Sequence, residues 1–87
     1  MPEVIADPAR LRQLGKTLSQ AAQQLDDLAR QLQRSLDATG WRGSERERFE
    51  QEFRQTIRTL TQLSNGLKHK HVPDLHKKAE ALEKFRT

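Results

Sequence analysis

Residues 37–49, DATGWRGSERERF, decide the fold. Gly40, Trp41, Arg42 and Gly43 separate two long segments of helical pattern. Gly40 suits a left-handed C-terminal cap, and Ser44-Glu45-Arg46-Glu47 has the form of a capping box that opens the next helix. A link of three or four residues between long helices predicts an antiparallel hairpin.

Working outward toward the N-terminus, Leu11, Leu14, Leu18, Ala21, Leu25, Leu28 and Leu32 recur at steps of three and four, with Leu36 shifting the stripe at its end. Asp7-Pro8 is a strong helix start: Asp accepts from orphan amides, and Pro gives up a donor that had no partner. The first helix is therefore expected over about 8–39, with Gly15 its weak point unless a neighbouring helix approaches closely there. Toward the C-terminus, Phe49, Phe53, Thr56, Ile57, Leu60, Leu63 and Leu67 hold the same spacing, giving a second helix over about 44–72 whose apolar face can lie on the first. Asn65-Gly66 and Pro73 predict a kink or break, and Leu75, Ala79, Leu82 and Phe85 a short amphipathic tail over 73–87. A second helix ending near Val72 would match the first in length, so the tail is expected to project past the hairpin. The fold class is all-α, one helical-hairpin unit spanning 1–87.

The composition says how such a hairpin is stabilised. Leu, Ile, Val and Phe number 12, 2, 2 and 3 in 87 residues, near the roughly 20% below which chains tend to stay disordered. Small cores need disulfides, metals or partner subunits. With no Cys, disulfides and thiolate metal sites are excluded. The expectation is a hairpin that dimerises into a four-helix bundle. Its core is Leu11, Leu14, Leu18, Leu25, Leu28, Leu32, Phe49, Phe53, Ile57, Leu60 and Leu63. No apolar run approaches the roughly 18 residues that span a bilayer. Met1 to Asp7 lacks the basic and apolar regions of a secretory signal peptide, so the chain is expected in the cytoplasm or exported by another route. The net charge of +4 gathers in the tail at Lys68, Lys70, Lys77, Lys78, Lys84 and Arg86.

The Trp41-Arg42-Gly43 triplet, between two amphipathic helices at the middle of a chain this short, resembles the WXG family of type VII secretion substrates, the early-secreted-antigen-like proteins. Ile5-Ala6-Asp7-Pro8-Ala9-Arg10-Leu11 is similar to that family's approach to helix one. Gly40-Trp41-Arg42-Gly43-Ser44 with Phe49 and Phe53 is similar to its turn and second helix. The resemblance covers about residues 5–67. It implies a bacterial protein, cytoplasmic before export and then secreted without a cleaved signal peptide. Its partners would be a second copy or a second WXG protein, the secretion ATPase and membrane machinery, and a larger effector. Trp41 and Gly43 would form the turn motif, with Trp41 beside the partner's tail. The family's export signal pairs a Tyr with an acid four residues later. This chain has no Tyr: Leu82 falls at the Tyr position and Arg86 at the acid. His76 and Glu80, one helical turn apart, are a displaced substitute, and His76, Glu80, Leu82 and Phe85 are the candidate recognition tail. The departure also points to a member that travels with, or chaperones, a partner bearing the signal.

Other chemistry has weaker support. His69, His71 and His76 lack the four-residue spacing that puts two ligands on one helical face, so no metal is expected. No nucleophile with a base and no phosphate loop is present, so neither an enzyme nor a cofactor is expected. The alternative of a different class is a basic hairpin that binds nucleic acid or an acidic surface through its tail, but it has no aromatic stacking platform.

Overall fold

The computed structural model describes residues 6–85; Ile5 and Arg86, which enter the family comparison above, lie outside them. Helix α1 spans Pro8–Ala38, α2 Ser44–Gly66 and α3 Val72–Phe85, with a π-helical turn, Leu67–His71, joining α2 to α3. No strand occurs among the described residues. The two arms pack antiparallel into a rod of 65 × 23 × 16 Å.

The helix ends follow local chemistry. Asp7 caps α1, its Oδ1 accepting from the Ala9 amide at 2.9 Å, with Pro8 in the first turn. At the far end the Thr39 amide and hydroxyl both donate to the Leu36 carbonyl. Gly40 then takes the left-handed conformation at φ 70°, and Gly43 follows at φ 106°. The expected capping box does not form. Gly43 is the N-cap of α2, without a side-chain bond, and Ser44 lies inside the helix. The turn is made by backbone that only glycine adopts freely, leaving no extended position for a serine cap.

The irregularity expected between Asn65 and Pro73 is there as a widened turn, with helix continuing on both sides. Gly66 keeps helical angles, and the Val72 amide donates to the Leu67 carbonyl five residues back. Pro73 explains the widening. It lacks an N–H, and its ring would collide with the carbonyl four residues earlier in a regular helix. The tail does not project past the hairpin. Helix α3 packs along the N-terminal half of α1, where Arg12 pairs with Glu83 at 2.7 Å. The extra residue of the π turn keeps α3 in phase with α2. Buried Ser64 and buried Ala79 are fifteen residues apart, two heptads plus one.

The seam between the arms differs from the expected one. On α1 the buried residues are Pro8, Gly15, Ala22, Ala29 and Leu36, a strict seven-residue repeat, facing Ser64 and Ala79. These residues are mostly small, so the arms approach closely. A Cβ at Gly15 would lie only 3.3 Å from His76 Nε2. Ser64, fully buried, is satisfied by donating to the Ala22 carbonyl at 3.1 Å. The leucine stripe lies to one side of this seam.

Candidate interaction face

Counting from the seam shows how the two sides of the hairpin differ. Leu11, Leu18, Leu25 and Leu32 stand four residues before, or three after, a seam position and share one flank; Arg12, Ser19, Asp26 and Gln33 share the opposite flank. On the second arm Leu60, Leu67, Leu75 and Leu82 hold the first kind of position, and Thr61, Lys68, His76 and Glu83 the second. Contacts across the seam fix which flanks meet. Arg12 pairs with Glu83, and Asp26 with Lys68, on the polar side. Leu32 and Phe53 line one cleft on the other. The hairpin thus has a polar face tied by cross-helix ion pairs and an apolar face.

On the polar face the Asp26 carboxylate accepts from Lys68, which holds its pKa below the usual 3.8. Asp74 is lowered likewise by Lys78, one turn on. Lys68 and Lys78 are therefore engaged within the chain, which reduces the positive charge the tail offers to an external anion.

The apolar face is only half closed by the hairpin. Leu11, Leu18, Leu25, Leu32, Phe53, Ile57 and Leu60 are half-buried. The large apolar residues classed as exposed among the described residues are Leu14, Leu28, Trp41, Phe49, Leu63 and Phe85. Leu14, Leu28 and Leu63 each immediately precede a seam residue, one step further round the apolar side. By the same count Phe49 and Phe85 fall on that side. Between Leu11 and Leu36, every charged residue of α1 (Arg12, Lys16, Asp26, Asp27, Arg30, Arg34) lies off this face. Its outer rim is Thr17, Gln24 and Gln31.

At the tip, Leu32, Ser35, Leu36, Thr39, Trp41, Phe49 and Phe53 line an open cleft of about 300 Å³. Trp41 is 39% exposed, its ring 5.6 Å from that of Phe49, which lies 5.3 Å from Phe53. Sequence reasoning missed what holds this tryptophan. Its amide donates to the Thr39 hydroxyl at 3.1 Å, and its carbonyl accepts from Arg46 Nη1 at 3.0 Å. The same guanidinium reaches Asp37 and Glu50, bracing the turn against both arms. The signal was present as Asp37, Arg46 and Glu50 flanking the glycines, but the arms must be folded together before these residues meet.

The tail residues separate. The His76 ring is turned over Gly15 on the polar side, no hydrogen bond joins it to Glu80 among the described residues, Leu82 is half-buried on the apolar side, and Phe85 is 88% exposed. Among the described residues no group of three or more His, Cys, Asp or Glu is placed to hold a metal ion, and no helix is long and apolar enough to cross a membrane.

The fold and the face define a small helical-hairpin protein with a Trp-x-Gly turn and one incompletely covered apolar face. The family model described as "WXG100: Proteins of 100 residues with WXG" matches residues 3–84, so the chain belongs to the WXG100 family. No curated protein and no solved structure matches it. WXG100 proteins are small helical proteins associated with type VII secretion, where they typically pair with partners, and are not known as enzymes.

Proposed function

We propose that the chain serves type VII secretion as half of a four-helix bundle, its apolar face closed by the matching face of another copy. The pair travels folded and without a cleaved signal peptide, or accompanies a larger effector that carries the export signal. Trp41 and Gly43 at the turn, with His76, Glu80, Leu82 and Phe85 in the tail, offer surface to the secretion ATPase or its membrane machinery.

One observation carries this reading: the large exposed apolar side chains named above share one face with Trp41, while the charges of α1 between Leu11 and Leu36 lie elsewhere. Packing that face against a like surface removes it from water, and surface of this kind marks interaction sites. Size exclusion with light scattering is expected to give the mass of a dimer. A stable, folded monomer would refute the pairing, and a dimer formed only with a second WXG100 protein would replace the copy by that partner. For the secretion role, Trp41→Ala is expected to leave helicity intact while blocking export or partner engagement. Normal export of that variant would remove the turn from recognition.

A further inference from the structure

On the polar side of the seam, away from the apolar face, a groove of about 370 Å³ opens between α1 and α2. Ala29 and Ile57, both at the seam, form its floor, and Asp26, Arg30, Gln33 and Thr61 its walls. The charges around it are not balanced. Each nearby acid is engaged within the chain: Asp26 by Lys68, Asp27 by Arg30, and Glu50 by Arg46 and Arg54. Arg58 directly follows the floor residue Ile57, and Arg34 stands one helical turn beyond Arg30. Both are exposed, and neither makes an ion pair or a side-chain hydrogen bond among the described residues. One unpaired guanidinium on each arm therefore flanks an apolar floor.

Such a groove suits carboxylates on either side of a short apolar contact. Guanidinium groups hold carboxylates through paired N–H donors, and an aliphatic side chain between them removes the floor from water. A nucleic-acid backbone fits less well. Asp26, Asp27 and Glu50 stand among the arginines and repel a continuous row of phosphates, and no aromatic side chain lines the groove to stack a base. Leu14, Leu28 and Leu63 lie across the seam, so covering the apolar face leaves this groove open.

We infer that this groove docks an acidic segment of a partner protein, with an apolar residue seated on Ala29 and Ile57 and the flanking carboxylates taken by Arg34 and Arg58. Docking here is independent of the pairing proposed above, because the two faces are separate. The probe is a fluorescein-labelled synthetic peptide, Glu-Glu-Leu-Glu-Glu, titrated with the full chain at about 50 mM salt and followed by anisotropy. Saturable binding that weakens with added salt is expected. Arg34→Glu and Arg58→Glu should each raise the dissociation constant roughly fivefold or more, with helical circular dichroism unchanged. Thr61→Glu, which sets a carboxylate on the groove wall, should do the same. Lys77→Glu, at an exposed position on α3 away from the groove, makes the same change in net charge as the arginine variants and should leave binding within about twofold. Replacing the peptide's Leu by Gly should weaken binding, because the floor is then uncovered. Absence of saturable binding, equal loss in Lys77→Glu and the arginine variants, or equal binding of the Gly peptide would overturn the assignment. So would a duplex oligonucleotide that binds more tightly than the peptide and loses affinity in the same variants.

Discussion

Leu63→Ala tests the pairing through a side chain that its own hairpin covers only in part. Leu63 is 55% exposed, so roughly half of its side chain remains to be covered by a partner. The change removes three carbons, worth about 2.4 kcal/mol on full burial at about 0.8 kcal/mol each. The portion reserved for the partner is then about 1.3 kcal/mol per copy, or about 2.6 kcal/mol for a symmetric pair. That corresponds to a dissociation constant raised roughly 70-fold. The portion buried within the hairpin, about 1 kcal/mol, appears separately as lower stability at concentrations where all chains are associated. Urea unfolding followed by far-ultraviolet circular dichroism over a hundredfold range of protein concentration measures both terms. The midpoint of the unmodified chain should rise with concentration, and that of the variant should rise from a lower start. A dissociation constant unchanged within threefold would show that this face is not the one that pairs.

Three further outcomes follow from the geometry. Gly66 has helical angles and no heavy atom within 4 Å of where a Cβ would stand, so Gly66→Ala should add about 1 kcal/mol of stability in thermal or urea unfolding; a loss would mean that the π turn needs the glycine. The pKa of Asp26 is lowered from 3.8 by Lys68, so its contribution is complete above that value and lost as pH falls through the folded pKa; an acid titration of unfolding midpoints should therefore flatten at its low end in Asp26→Asn. In a Pro73→Ala background, deleting Lys70 should turn the π turn into regular helix and leave α3 docked, since Ser64 and Ala79 would then stand two heptads apart; loss of helicity equal to α3 would contradict the phase argument.

Much of the fold was legible because it rests on punctuation and period. Asp7-Pro8, Gly40 and Gly43 mark ends that only those residues make easily, and steps of three and four mark helices whatever lies across from them. The seam was not legible. Scanning for large apolar residues selects Leu11 to Leu32, whereas the arms meet through Gly15, Ala22, Ala29, Ser64 and Ala79, which look unremarkable in a sequence. The direction of the tail was lost with it, because the extra residue of the π turn and the hollow at Gly15 are what let α3 fold back along α1. Arg46, which holds the turn, is one of five arginines between residues 42 and 58 until the arms close.

The position of these leucines beside the seam bears on function. Leu36, still 6% exposed, is the one large apolar side chain buried within the described hairpin. A core of that size supplies little against the conformational entropy of about eighty ordered residues. The same leucines and phenylalanines, set in the seam, would have held the hairpin together alone and left a polar exterior. Their placement beside the seam leaves that burial energy unrealised within the hairpin and available to whatever covers the face. Small seam residues let the arms come close enough for both leucine rows to share one face. Covering that face with a partner is expected to add stability to the folded hairpin, so that association and folding are coupled and the unfolding midpoint rises with concentration. Concentration-independent unfolding, at the same midpoint from 1 to 100 times a starting concentration, would separate the two and leave the apolar face without a stabilising role.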